Sequence, residues 1–146
     1  MAGFTNRGKF QIGSVYFKNL TTNFAPTAFK VALCTTQPTN DTNTLSELTQ
    51  ITGGTGYTTG GIAVERSVTG FDTATEDDSG NLASFKIKDL VWTASGGSIS
   101  DISYAVLVDD SATPYVIAWW TVTGGPVTVT TGQTFTLQDC ELRFTD

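Results

Sequence analysis

Leu82-Ala83-Ser84-Phe85-Lys86-Ile87-Lys88-Asp89-Leu90-Val91-Trp92, then Ser103-Tyr104-Ala105-Val106-Leu107-Val108, then Tyr115-Val116-Ile117-Ala118-Trp119-Trp120-Thr121-Val122 are the runs that decide the fold. In the first, Phe85 and Ile87 alternate with Lys86 and Lys88, the period of two expected of a strand with one wet face. The other two runs are apolar at both parities. Tyr104, Val106 and Val108 oppose Ala105 and Leu107, while Tyr115, Ile117 and Trp119 oppose Val116, Ala118, Trp120 and Val122. Strands of that kind are covered on both faces. The runs therefore predict three long central strands, with more apolar surface than one small chain covers alone. Self-association as a dimer or trimer is the corresponding expectation.

Outward from this centre, the chain of 146 residues is long enough for one domain with a real core. Thr and Gly are abundant, and turn dipeptides recur about every ten residues, which predicts an all-β chain. The last strand carries Phe135 and Leu137 at one parity and Cys140, Leu142 and Phe144 at the other, so a β-bulge near Gln138-Asp139 is expected to reset the register. Upstream, Thr27–Cys34 reads as a strand with Phe29, Val31 and Leu33 inward. Ile62–Thr69 reads as another, with Ile62, Val64 and Val68 on or near the core. Val127–Thr130 is a third. Thr44 and Glu47 have capping-box spacing for one helical turn over Leu45–Gln50. Residues 5–20 fit two readings. Ile12, Val15, Tyr16 and Leu20 recur at helical spacing with Thr5 or Asn6 as cap, and a strand over Lys9–Phe17 is the rival. The predicted architecture is an antiparallel two-sheet sandwich, jelly-roll or Ig-like, formed by one domain over 1–146 with residues 1–24 as a helical or extended arm.

The chemistry carried by the residues is sparse. Net charge is −6, which argues against a nucleic-acid partner, because phosphate binding needs a basic surface. No apolar run approaches the length of a membrane span. The first residues have charge without a hydrophobic segment behind them, unlike a secretory leader, so synthesis in a cytoplasm is expected, with retention there or release by lysis. Histidine is absent, which removes the commonest general base and metal ligand. Cys34 and Cys140 fit no zinc spacing and are expected as free buried thiols. Gly53–Gly61 lacks the Gly-Lys-Ser/Thr ending of a phosphate loop. Asp72, Glu76, Asp77 and Asp78 could offer oxygens to calcium, but their spacing is not that of a helix–loop–helix site, and a solvated turn is the plainer reading. No catalytic, cofactor or metal residue is assigned, and an enzyme is not expected. Trp119 and Trp120 must point to opposite faces of a strand, so one is expected in the core and the other under the N-terminal element or at an interface. An exposed Trp platform beside acids would instead favour a carbohydrate-binding, host-attachment module.

The wording of several stretches adds a further signal. Thr5-Asn6-Arg7-Gly8-Lys9, Phe29-Lys30-Val31-Ala32-Leu33-Cys34-Thr35, Gly56-Tyr57-Thr58-Thr59-Gly60-Gly61 and Gly132-Gln133-Thr134-Phe135-Thr136-Leu137 resemble, in that order, a family of small structural proteins of tailed bacteriophages. The turn Trp92-Thr93-Ala94-Ser95-Gly96-Gly97 is the most specific piece. The resemblance implies a virion protein, assembled in the host cytoplasm. The expected role is capsid decoration, in which the chain cements contacts between subunits of the major capsid protein; a tail, neck or fibre subunit is the alternative. Phe4, Phe10, Tyr16 and Phe17 of the N-terminal element, with Trp92 and Trp120, are the expected interface residues.

Overall fold

A computed structural model describes residues 2–18 and 26–145, with the side chains of Ala2 and of residues 13–18 outside the description. The protein is all-β and sandwich-like, with one helix near its N-terminus. Its spine is a five-stranded antiparallel sheet built from β1 (Ala2–Phe4), β9 (Val116–Thr121), β8 (Tyr104–Asp109), β2 (Ala28–Cys34) and β3 (Ile62–Glu65), in that spatial order. The second layer is not one continuous sheet. It consists of three short antiparallel ladders: β12 (Glu141–Thr145), β5 (Leu82–Ile87) and β4 (Phe71–Asp77) in one, β11 (Thr134–Leu137) with β6 (Leu90–Thr93) in another, and β10 (Val127–Val129) with β7 (Ile99–Ile102) in the third.

All three ladders close onto one face of the five-stranded sheet. Val31, Leu33, Ala105, Leu107 and Trp120 from the sheet meet Ile87, Trp92, Ile99, Ile102, Phe135 and Leu137 from the ladders in the main core. The opposite face carries a second, smaller core in which Ala32, Val106, Val108, Val116 and Trp119 are roofed by Leu45 and Leu48. Those two leucines come from the 3-10 turn Leu45–Glu47 and its exit. The expected capping box is present there, with the Thr44 N–H donating to Glu47 Oε1 at 3.1 Å. So the strands with two apolar faces are covered on both faces as predicted, and by the chain itself: the ladders on one side, Leu45 and Leu48 on the other. Among the described residues neither face of the central strands is left bare, so those faces give no argument for self-association. Trp119 and Trp120 are both core, one on either side of the same sheet.

Three further expectations are corrected. The run 82–92 is two strands, because Ile87 faces the core at odd parity and Leu90 and Trp92 at even parity; the chain crosses from one ladder to another at Lys88-Asp89. The parity switch at 138–139 has the same origin. Asp139, at φ 55, ends β11's course and sends the chain into β12 beside β5, so the irregularity is a change of ladder rather than a bulge. Finally, β3 stops at Glu65, and Val68 is 85% exposed in the turn that follows.

The N-terminal ambiguity resolves to a helix, α1 (Asn6–Lys18), preceded by the edge strand β1. Thr5 caps it: its hydroxyl accepts from the Gly8 N–H at 2.9 Å and donates to the carbonyl of Val116, while its own N–H donates to the Ile117 carbonyl at 3.1 Å. Ile117 is where β9 slips register against β8, pairing Leu107 with Ala118 and Val108 with Val116. The helix therefore docks on a bulge. Gln11 extends that anchor, its Nε2 donating to the buried Asp109 Oδ2 at 2.9 Å. Asp109 also accepts from the N–H groups of Ser111 and Tyr115, tying the turn before β9 to the helix.

Candidate interaction site

Burial grades steeply along the inner face of the three-stranded ladder. Ile87 and Cys140 are fully packed, Leu142 is half-buried, and Phe85 and Phe144 are 38% and 40% exposed. The far half of the ladder thus overhangs the core. Its phenylalanines face a groove of about 320 Å³ whose other wall is α1 through Gln11 and Ile12, with Leu107 and Ile117 on the floor. Phe4 and Phe144 lie 4.8 Å apart between ring centroids, and Phe85 meets Phe144 edge-on at 6.0 Å. Arg66, at the rim, donates from Nη1 to the Pro26 carbonyl at 2.8 Å. Chemically this groove can hold apolar or aromatic side chains and little else.

The residues expected at an interface are dispersed. Phe4 is in the groove. Phe10 is 54% exposed on α1, with the Arg7 guanidinium 5.6 Å from its ring centroid and 4.0 Å from that of Tyr115. The side chains of Tyr16 and Phe17 lie outside the described residues. Trp92 and Trp120 are 2% and 7% exposed, so neither has surface to offer a partner. Trp92 packs on Phe135, and the Trp120 indole N–H donates to the Glu141 carbonyl at 3.2 Å. Phe85, Phe144 and Ile12 were not foreseen. Their apolar alternation reads as core, and only the overhang of one ladder end exposes them.

With all three tryptophans buried, the aromatic platform expected of a carbohydrate-binding module is not formed by them. A crevice holding two acids does exist, beside β1 and β12, and it includes Asp139 and Glu141. Both are committed to ion pairs, Lys86 with Asp139 at 2.7 Å and Arg143 with Glu141 at 2.6 Å. Hydrogen bonding from Ser84, then Arg143, holds Glu141 below the usual carboxylate range. A glycosidase acid needs the opposite shift. Among the described residues no three His, Cys, Asp or Glu side chains group as metal ligands. Asp77, the strongest candidate in the acidic stretch, spends Oδ1 on the N–H groups of Ser79 and Gly80 at 3.0 Å each. Asp72 and Glu76 lie on β4, so this stretch is an edge strand and not only a turn.

Cys34 and Cys140 are free and lie in the two different cores. Burial pushes both thiols from 9.0 up to about 12. These shifts fix a pH profile. Asp77, Asp110 and Glu141 are held low, chiefly by the hydroxyls of Ser79, Thr27 and Ser84. A depressed carboxylate contributes stability that is complete above its unfolded pKa near 4 and is lost as pH falls through the folded value. A raised thiol contributes stability that is complete below its unfolded pKa and is lost as pH rises toward the folded one. With no histidine, Tm is expected to be level between about pH 5 and 8.5, falling on both sides. Scanning calorimetry across pH 3–11 checks this; Cys140→Ala should make the alkaline limb shallower while the buried Cys34 and Tyr57 keep part of it, and a slope of many degrees between pH 6 and 8 would contradict it.

No protein-family model matches the chain, and no curated protein matches it significantly.

Proposed function

We propose that the chain is a non-catalytic structural subunit of a tailed-phage particle, seated on the outer surface of the head, where it stabilises contacts between major capsid protein subunits. The observation that carries the adhesive part of this reading is the exposed phenylalanine groove between α1 and the three-stranded ladder, the kind of apolar patch that marks a binding surface. The suppressed thiols and the ion-paired acids support a role without bond-making chemistry. The phage class is supported by the sequence resemblance described above. The mechanism is mass action: a protein that binds the assembled lattice and not its free subunits shifts assembly toward the lattice, and many weak contacts add through multivalency.

This groove offers apolar surface that a second copy of the chain could also use. The test is the copy number in purified virions on a stained gel. Copies numerous enough to match the capsid lattice, retained on tail-less heads, fit the proposal. Few copies, found with tails, give the neck, tail or fibre alternative. Absence from the particle overturns the virion reading.

A further inference from the structure

Two sheet edges flank one crevice. β1 is outermost in the five-stranded sheet and β12 outermost in the three-stranded ladder. Both line a space of about 420 Å³ with Ala118, Trp119 and Trp120. No strand among the described residues pairs with either edge.

The direction of each backbone follows from the register. The Ile87 N–H donates to the Cys140 carbonyl at 2.9 Å, and β12 pairs Leu142 with Phe85 and Phe144 with Ala83. Antiparallel pairing alternates, so Cys140, Leu142 and Phe144 bond inward and the peptide groups of Glu141, Arg143 and Thr145 point outward. The Glu141 carbonyl confirms the direction, because it receives the Trp120 indole N–H across the crevice. On β1, the Thr5 N–H bonds to Ile117 and Gly3 pairs with Trp119, leaving the Phe4 peptide group outward.

Natural sheets blunt their edges with charge, bulges or covering loops. The outer strand at the other end of this ladder does so: β4 carries Asp72, Glu76 and Asp77 and a register shift between Phe71 and Thr73. β1 is Ala2-Gly3-Phe4, with no charge and no proline. The charges in the crevice neutralise one another, Lys86 with Asp139 and Arg143 with Glu141. No counter-ion is called for.

We propose that this crevice is a strand-accepting slot: an extended, uncharged segment of a partner protein pairs with the β12 edge through Arg143 and Thr145, with β1 on its other flank. Backbone bonds supply the affinity, and alternate side chains supply selectivity. The structural-subunit reading bears only on which protein donates the segment; the slot is tested without it.

A display library of random decapeptides is panned on the intact protein, and the enriched peptide is titrated against variants. Arg143→Pro and Thr145→Pro each remove an outward N–H and leave the β12–β5 ladder bonded. Each is expected to weaken peptide binding roughly tenfold while Tm stays within a few degrees. Arg143→Ala, which loses the ion pair and keeps the N–H, binds like wild type. Glu76→Pro, at an outward position on the opposite edge, also binds like wild type. Slowed exchange of the Arg143 and Thr145 amides on peptide binding supports the slot even where a proline variant fails to fold. No enriched sequence, or proline variants that bind undiminished, overturns it. Wild-type dimers abolished by the same prolines would make the occupant a second copy and overturn the assignment to a foreign segment. Absence of the protein from virions removes the virion reading and leaves this result standing.

Discussion

Trp120→Ala is expected to lower the unfolding free energy by about 3–5 kcal/mol, the range for emptying a large buried aromatic site. Tm should fall by roughly 10 °C or more for a chain of this size. Trp120 is 7% exposed on the main-core face of β9, opposite Ala105 on β8 and Ala2 on β1. Its small cross-strand neighbours cannot collapse into the space it leaves. Its indole N–H also tethers the Glu141 carbonyl, linking the five-stranded sheet to β12. Trp120→Phe keeps much of the apolar area but drops that bond, so it should cost clearly less. Denaturant titration of the three proteins measures both steps. A loss below about 1 kcal/mol for the alanine variant would show that Trp120 is not the core element described here. An interface residue would behave the other way, weakening binding and sparing the monomer.

Gly8→Ala is expected to destabilise the N-terminal unit even though alanine is the better helix former. In an isolated helix the change gains about 1 kcal/mol. Here a Cβ at position 8 would sit 2.2 Å from the Ile117 carbonyl oxygen and 2.9 Å from its carbon, both backbone atoms that cannot swing aside. The helix must lift from the bulge or the bulge must deform. Either route costs about 1–3 kcal/mol by the usual measure of overpacking, enough to reverse the propensity gain. Lifting α1 also stretches the Thr5 and Gln11 bonds that hold it. Amide exchange should therefore speed up in β1 and α1 while β2, β8 and the ladders keep their protection. Unchanged protection at Thr5 and Gly8 with raised global stability would refute the close approach.

These two sites show what the sequence could and could not disclose. The two-faced apolar runs 103–108 and 115–122 announced a doubly covered sheet. The capping pair Thr44 and Glu47 announced a turn, but not that Leu45 and Leu48 would be the cover, because two leucines in a polar stretch leave no periodic signal. Nothing in the sequence marks Gly8, yet it is the residue that lets the helix dock. The sequence of β4 reads as an acidic turn because its apolar content is negligible; the strand exists through backbone pairing with β5, which leaves no mark on side-chain alternation. β7 is silent in the sequence because Ile99 and Ile102, both fully buried, are three apart, with Asp101 at φ 61 between them. Tertiary placement is equally silent at the groove. Phe85, Phe144 and Ile87 look alike in the sequence, and only the ladder's overhang exposes the first two.

The burial of Trp92, Trp119 and Trp120, none more than 7% exposed, has an optical corollary. Indole emission from this protein arises within its two cores, so it is expected to be blue-shifted in the native state and poorly quenched by iodide. The fluorescence signal reports global unfolding and stays quiet when something settles into the phenylalanine groove.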